Sequence, residues 1–248
     1  MARLDTGVAT LDYRRISKDS SSRSRSSEPQ RGRAFRDDGA ATARGQLLRR
    51  FHLASHRIAS APVVNDLHSL GFDVTFIEDL FNKAYDYRSA IPLLRWWLPR
   101  TADIHVKEAI VRALSVKWAK PDAGPDLVQA FRDAPSDADG LKWAIGSALE
   151  VVSDQAILDD LLEFSADRKH GTAREMIVLA LGHFRDPRVA RLLLRLVRDD
   201  AEVRGHAIAA IGRLRLAEAR PLLELLQCDE SAWIRREARK ALKRLPPE

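Results

Sequence analysis

The chain has a single cysteine, Cys228, in 248 residues. No internal disulfide can form, so a disulfide-stapled fold is excluded and a reducing, cytoplasmic setting is expected. No apolar stretch approaches the roughly 20 residues needed to span a bilayer, and the N-terminus lacks the apolar core of a secretory signal. Catalytic signatures are also missing: there is no glycine-rich phosphate loop, no His-Glu-x-x-His and no paired cysteines. The histidines are scattered, and only His52 and His56 share a helical spacing that could present two imidazoles to one ion. The sequence places no third ligand beside them, so a packed or solvated pair is the simpler reading, and no metal or cofactor is implied. These absences point away from an enzyme. Few aromatics (6%) beside 45% apolar and 31% charged residues suit a helical repeat protein.

The formal net charge of +6 is mostly a property of the N-terminus. Residues 1–45 hold ten basic and six acidic residues, leaving 31 against 29, or +2, for everything that follows. The overall basicity is therefore no evidence that the folded part binds nucleic acid. The same stretch contains SSSRSRSSEPQRGR at Ser20–Arg33 and has too little apolar surface to offset its ordering entropy. It reads as a disordered Ser/Arg-rich tail, or as sequence upstream of a later start codon.

What the chain has is a repeat. Asp186 to Leu214 reads as two short helices, with apolar stripes at Val189, Leu192, Leu193, Leu196 and Val197 and at Val203, Ala207, Ala210, Ile211 and Leu214. Asp186-Pro187 opens the first helix, and Asp200 is placed to accept from the free N–H groups opening the second. Such a hairpin cannot bury both stripes alone and needs copies of itself on either side. The second stripe recurs with a small residue at Ala113, Ala148, Ala180, Ala210 and Ala241, at spacings of 35, 32, 30 and 31. First helices recur in register at Ile91-Pro92-Leu93-Leu94, Leu127-Val128, Leu161-Leu162, Leu193-Leu194 and Pro221-Leu222-Leu223. An alanine at a fixed place lets neighbouring helices approach closely while the flanking leucine or isoleucine fills the groove. The expected fold is all-α, an α-solenoid of five hairpins at about 88–120, 121–153, 154–185, 186–216 and 217–248.

Residues 46–87 are expected to cap its N-terminal end. A helix from Gln46 to Ser60 is broken at Ala61-Pro62, a short one runs from Val63 to Leu70 and stops at Gly71, and Asp73 caps a third from Val74 to Ala84. At the other end Arg236, Arg239, Lys240, Lys243 and Arg244 make the last helix polar outward, as a terminal repeat requires.

The apolar–basic pair opening the second helices (Val106-Lys107, Val203-Arg204, Ile234-Arg235), their Ala-Leu-Gly-like close (Ala180-Leu181-Gly182, Ala210-Ile211-Gly212) and the link Gly182-His183-Phe184-Arg185-Asp186-Pro187-Arg188 resemble HEAT repeats. They are most similar to the short bacterial repeats associated with phycobilisome bilin lyases, an armadillo-type fold. The resemblance covers about Arg88 to Leu245, and Leu141, preceded by Asp-Ala-Asp-Gly, departs most from the pattern. It implies a scaffold that binds a partner on the concave face formed by the second helices. Two other implications are a nucleic-acid-binding array related to alkylpurine DNA glycosylases and a bilin-lyase-like chaperone of protein modification. The HEAT hydroxylases hold iron with His-Glu pairs, and no His-Glu dipeptide occurs here.

Two features bear on binding. Lys107, Lys142, Arg174, Arg204 and Arg235 recur once per unit. They read first as cations that order neighbouring turns, and otherwise as a ladder for phosphates or acidic peptides. Beside them, the exposed strip is expected to present Trp143, Gly146, Ser147, Val178, Leu179, Ile208 and Ala209, with Arg236 and Lys240 at a basic end. That trough suits an extended peptide or a helix of a protein partner, unless the array is tighter and these residues simply pack. Trp96 and Trp97 are adjacent and point about 100° apart on a helix. Trp97 continues the Leu93-Leu94-Leu98 stripe, leaving Trp96 as the exposed aromatic, with Trp118 second.

Overall fold

The computed structural model describes residues 38–247. Among them the regular structure is entirely helical, without a strand: α1 (Asp38–Ser69), α2 (Asp79–Asn82), α3 (Ile91–Trp97), α4 (Ile104–Leu114), α5 (Ala123–Asp133), α6 (Asp139–Val152), α7 (Leu158–Ala166), α8 (Glu175–Ala180), α9 (Pro187–Asp199), α10 (Arg204–Leu214), α11 (Arg220–Leu225) and α12 (Ala232–Leu242), with short 3-10 turns between them. No described helix is long and apolar enough to cross a membrane. The residues from Leu48 onward form one unit, and the first turns of α1 belong to another.

From α3 onward the helices pack as consecutive pairs, α3 on α4 through α11 on α12. The second members also touch in series: α4 meets α6, α6 meets α8, α8 meets α10 and α10 meets α12. The recurring alanines lie in these seams. Ala113, Ala148, Ala180 and Ala210 are fully buried and Ala241 nearly so. A Cβ added to Gly182 would sit 3.0 Å from the Ala210 Cα, and one added to Gly212 would sit 3.0 Å from the Ala241 Cα. Each small residue thus takes the close approach of the next second helix, which a larger side chain would hold off.

A second tie runs along the first helices. Arg95 pairs with Asp126, Arg132 reaches Asp160 and Glu163, and Arg188 reaches Asp159 at 2.8 Å, so α3, α5, α7 and α9 are linked one to the next. Sequence separations of 28–31 residues at these contacts mirror the repeat length.

Helix starts follow local chemistry. Asp186 caps α9, accepting the Arg188 N–H at 2.7 Å with Pro187 at the first position, and Asp103 caps α4 through the His105 and Val106 N–H groups. Asp200, in contrast, does not cap α10, which starts at Arg204 without a side-chain cap. Its carboxylate accepts from the Glu202 N–H in the turn ahead of α10 and is held as well by Arg174, a guanidinium meeting a buried acid.

The N-terminal expectations need three corrections. α1 continues through Pro62, since Val63 and Leu67 are buried on the core and hold the following turns, while exposed Pro62 forgoes one backbone hydrogen bond. α1 also includes residues 38–45, part of the stretch expected to be disordered; residues 1–37 lie outside the described residues. Finally, Val74–Ala84 is mostly irregular. Asp73 caps no helix there, and α2 starts without a side-chain cap; Asp79, its first residue, accepts backward from the Thr75 and Phe76 N–H groups at 2.7 and 3.2 Å. These bonds tie off the loop before α2 and hold the Asp79 carboxyl below its ordinary pKa against the opposing effect of burial.

Candidate interaction face

Each second helix is flanked by neighbours and backed by its own first helix, so only a narrow strip stays open. On that strip Trp143 and Ser147 of α6, Leu179 of α8 and Ala209 of α10 are half-buried, and Arg236 and Lys240 of α12 are exposed. Val178 and Ile208 are not part of it. Both are fully buried, as is Gly146, whose added Cβ would meet the Ala173 carbonyl oxygen at 3.1 Å. Successive residues point 100° apart, and the position before each open one turns into the seam with the next helix. The trough is therefore narrower than the sequence implied.

The strip has two chemically distinct ends. At one end the Trp143 indole donates to the Glu175 carboxylate, and burial, opposed by that bond and reinforced by Glu202, raises the Glu175 pKa. Ser147 Oγ bonds back to the Trp143 carbonyl at 3.1 Å. Further along, the Trp233 ring lies edge-on to His206 with centroids 5.3 Å apart and covers Gly205 so closely that an added Cβ would overlap the ring. Burial pushes the His206 pKa down to about 4, so the imidazole is neutral there.

At the other end is an open cleft of about 240 Å³ between α8, α10 and α12. It brings together Leu179, Ala209 and Lys240, and adds Arg213, Glu237 and Arg244, which the sequence does not assign to the binding face. Arg213 Nη1 donates to Glu150 Oε1 at 2.6 Å, and His183 Nε2 lies 3.1 Å from the same oxygen. The His183 hydrogen bond and Arg213, against burial, hold the Glu150 carboxyl down at about 2. A register signal existed for this cluster. His183, Arg213 and Arg244 each stand three residues after the recurring alanine of their unit.

The three arginines of the basic column order turns. Arg174 is fully buried, donating to the Ser165 and Gly171 carbonyls and to Asp200 and Glu202. Arg204 donates to the Val197 carbonyl at 2.9 Å and lies 3.6 Å from Asp229, and Arg235 donates to the Asp229 and Glu230 carbonyls. Buried Lys142 sits over the Phe131 ring at 5.9 Å, and Lys107 is half-buried. Arg174 and Lys142 are buried, and Lys107, Arg204 and Arg235 are half-buried.

Trp96 is 50% exposed, with the Arg100 guanidinium 4.1 Å over its ring, whereas Trp97 donates to Asp66 of α1. Trp118 is exposed beside Arg88. His56 lies 3.2 Å from Glu78 and stacks on Phe76. No group of three metal-ligating side chains occurs among the described residues. A scan against protein-family models, a search of curated proteins and a search of solved structures found no match to this chain.

Proposed function

We propose that the chain is an α-solenoid of HEAT-like repeats, a non-enzymatic cytoplasmic scaffold that holds a protein or peptide partner on the face of its second helices. The observation that carries this reading is the α8–α10–α12 cleft. Leu179 and Ala209 offer a small apolar surface, and Arg213, Lys240 and Arg244 surround it, with Arg213 held by Glu150 and Lys240 by Glu237. An apolar patch rimmed by cations selects a segment with one apolar anchor and acidic neighbours. The fivefold sequence register and the serial contacts of the second helices support the solenoid.

The test is photo-cross-linking in cells of the source organism with a benzophenone side chain at position 179, or at exposed Leu225 as control. A discrete protein adduct from position 179 alone, lost when Lys240→Glu and Arg244→Glu are combined, is expected. Equal adducts from both positions, or none, would end the proposal. A DNA duplex probe completes the comparison: salt-sensitive binding lost in the same double variant would replace the protein partner with nucleic acid.

A further inference from the structure

The first helices carry a basic surface that the Arg–carboxylate ladder does not use up. α9 is strongly amphipathic: Val189, Leu192, Leu193, Leu196 and Val197 are buried, and Arg188, Arg191, Arg195 and Arg198 all point outward. Arg188 is held by Asp186 and Asp159. Arg191 and Arg195 are exposed, and neither is in a hydrogen bond or ion pair with a described side chain. Together with Leu162 and Ala166 of α7 and the edge of Leu192, these arginines line an open cleft of about 500 Å³.

We propose that this α7–α9 cleft docks an acidic amphipathic helix of a partner protein, with two carboxylates on Arg191 and Arg195 and one apolar side chain on the Leu162–Ala166–Leu192 floor. The two arginines are four residues apart, which puts their stems about 6 Å apart on one side of α9. Two carboxylates at the same spacing on a facing helix match them in pitch and charge. The α7 rim decides between a peptide and a polyphosphate. Asp159, Asp160 and Glu163 stand there, paired with Arg188 and Arg132. They confine the positive field to about one helical turn and repel a phosphate backbone that continues past it. The apolar floor would also contribute nothing to a phosphate chain. This surface lies on the first helices and is independent of the face assigned to the scaffold function.

The experiment is fluorescence anisotropy with the full chain and a short labelled helical peptide carrying glutamates one turn apart around a leucine. The comparison probes are the same peptide with glutamine for glutamate, with serine for leucine, and a DNA duplex. Wild type is expected to bind the Glu/Leu peptide and to bind both altered peptides at least about tenfold more weakly. Arg191→Glu with Arg195→Glu is expected to lower affinity for the Glu/Leu peptide by a similar factor. Ala166→Trp, which fills the cleft at unchanged charge, should do the same. Circular dichroism and thermal melts matching wild type establish that the variants are folded. Equal binding of the glutamine peptide, insensitivity to Ala166→Trp, or a duplex bound as tightly as the peptide would each overturn the proposal.

Discussion

Arg174 Nη1 donates to Asp200 Oδ2 at 2.8 Å across 26 residues, and the guanidinium is completely enclosed by the two units it joins. Its other hydrogen bonds go to Gly171, Ser165 and Glu202. Burial alone would raise the Asp200 pKa; the hydrogen bond and charge of Arg174 outweigh it and keep the carboxyl ionised. Removing Asp200 leaves the buried guanidinium with only the half-exposed Glu202 as counter-charge, so the loss falls toward the lower end of the roughly 3–5 kcal/mol of a broken buried pair. Asp200→Ala should accordingly lower the unfolding free energy by roughly 3 kcal/mol in urea titrations. Arg174→Lys should be costly too, since an ammonium cannot serve the same fork of acceptors. A loss below about 1 kcal/mol in both would remove this pair as the clamp between the units.

The Arg132 contacts provide the contrast. Its guanidinium grips Glu163 through two parallel bonds at 2.9 and 2.7 Å and reaches Asp160 at 2.7 Å, yet the side chain is over a third exposed. Solvent screening limits such a cluster, so Arg132→Ala should cost no more than about 1 kcal/mol despite having better geometry than many buried pairs. The deficit should shrink in molar salt, where the Debye length falls to about 3 Å. A deficit equal to that of Asp200→Ala, unchanged by salt, would refute this ordering.

Two groups on the second-helix face set separate pH windows. His206 has its pKa depressed by burial to about 4 from an ordinary 6.5. Between these values the unfolded chain gains a proton that the folded one refuses, so stability falls as the pH drops through that range. Glu150 is held at about 2, first by the His183 hydrogen bond, against an ordinary 4.5. Its contribution is complete above about pH 5 and is lost as the pH falls from 4.5 toward 2. His206→Phe should flatten the upper limb of a stability–pH curve and Glu150→Gln the lower limb. Denaturant midpoints measured at half-unit intervals would resolve them, and a variant that alters the other's window contradicts the assignment.

The helix pairing was legible because it depends on a short-range signal repeated five times. Each alanine and its flanking stripe is a local pattern, and repetition multiplies it. Local pattern fails where a contact from elsewhere wins. Pro62 looked like a break until Val63 and Leu67 found the core, and Asp200 looked like a cap until Arg174 arrived from the preceding unit. The binding strip was read one residue too wide at Val178 and Ile208. Their burial depends on how closely neighbouring second helices approach, which no single helix encodes. The Glu150–His183–Arg213 cluster was missed for a related reason, since it joins three units across 63 residues. The open cation pair Arg191 and Arg195 lacks the two ion pairs of Arg188, with Asp186 at the start of α9 and with Asp159 of α7, and the second of these cannot be read from the sequence of α9 alone.

That closeness of approach can be measured with two glycines. Gly212 sits where α10 meets α12, and a Cβ there would lie 3.0 Å from the Ala241 Cα and 3.1 Å from its Cβ. Neither atom can swing aside, so a larger residue must push the terminal hairpin outward, and overpacking of this kind costs about 1–3 kcal/mol. Gly140, near the start of α6, has nothing within 4 Å of an added Cβ and no need of a positive φ. There an alanine only removes freedom from the unfolded chain, a gain of about 0.4–1 kcal/mol. Gly212→Val should therefore destabilise and loosen α12, seen as faster amide exchange in Ala232–Leu242, while Gly140→Ala stabilises. If Gly212→Val matched wild type in both stability and exchange, α10 and α12 could not be packed backbone to backbone, and the serial stacking of the second helices would fail at its last step.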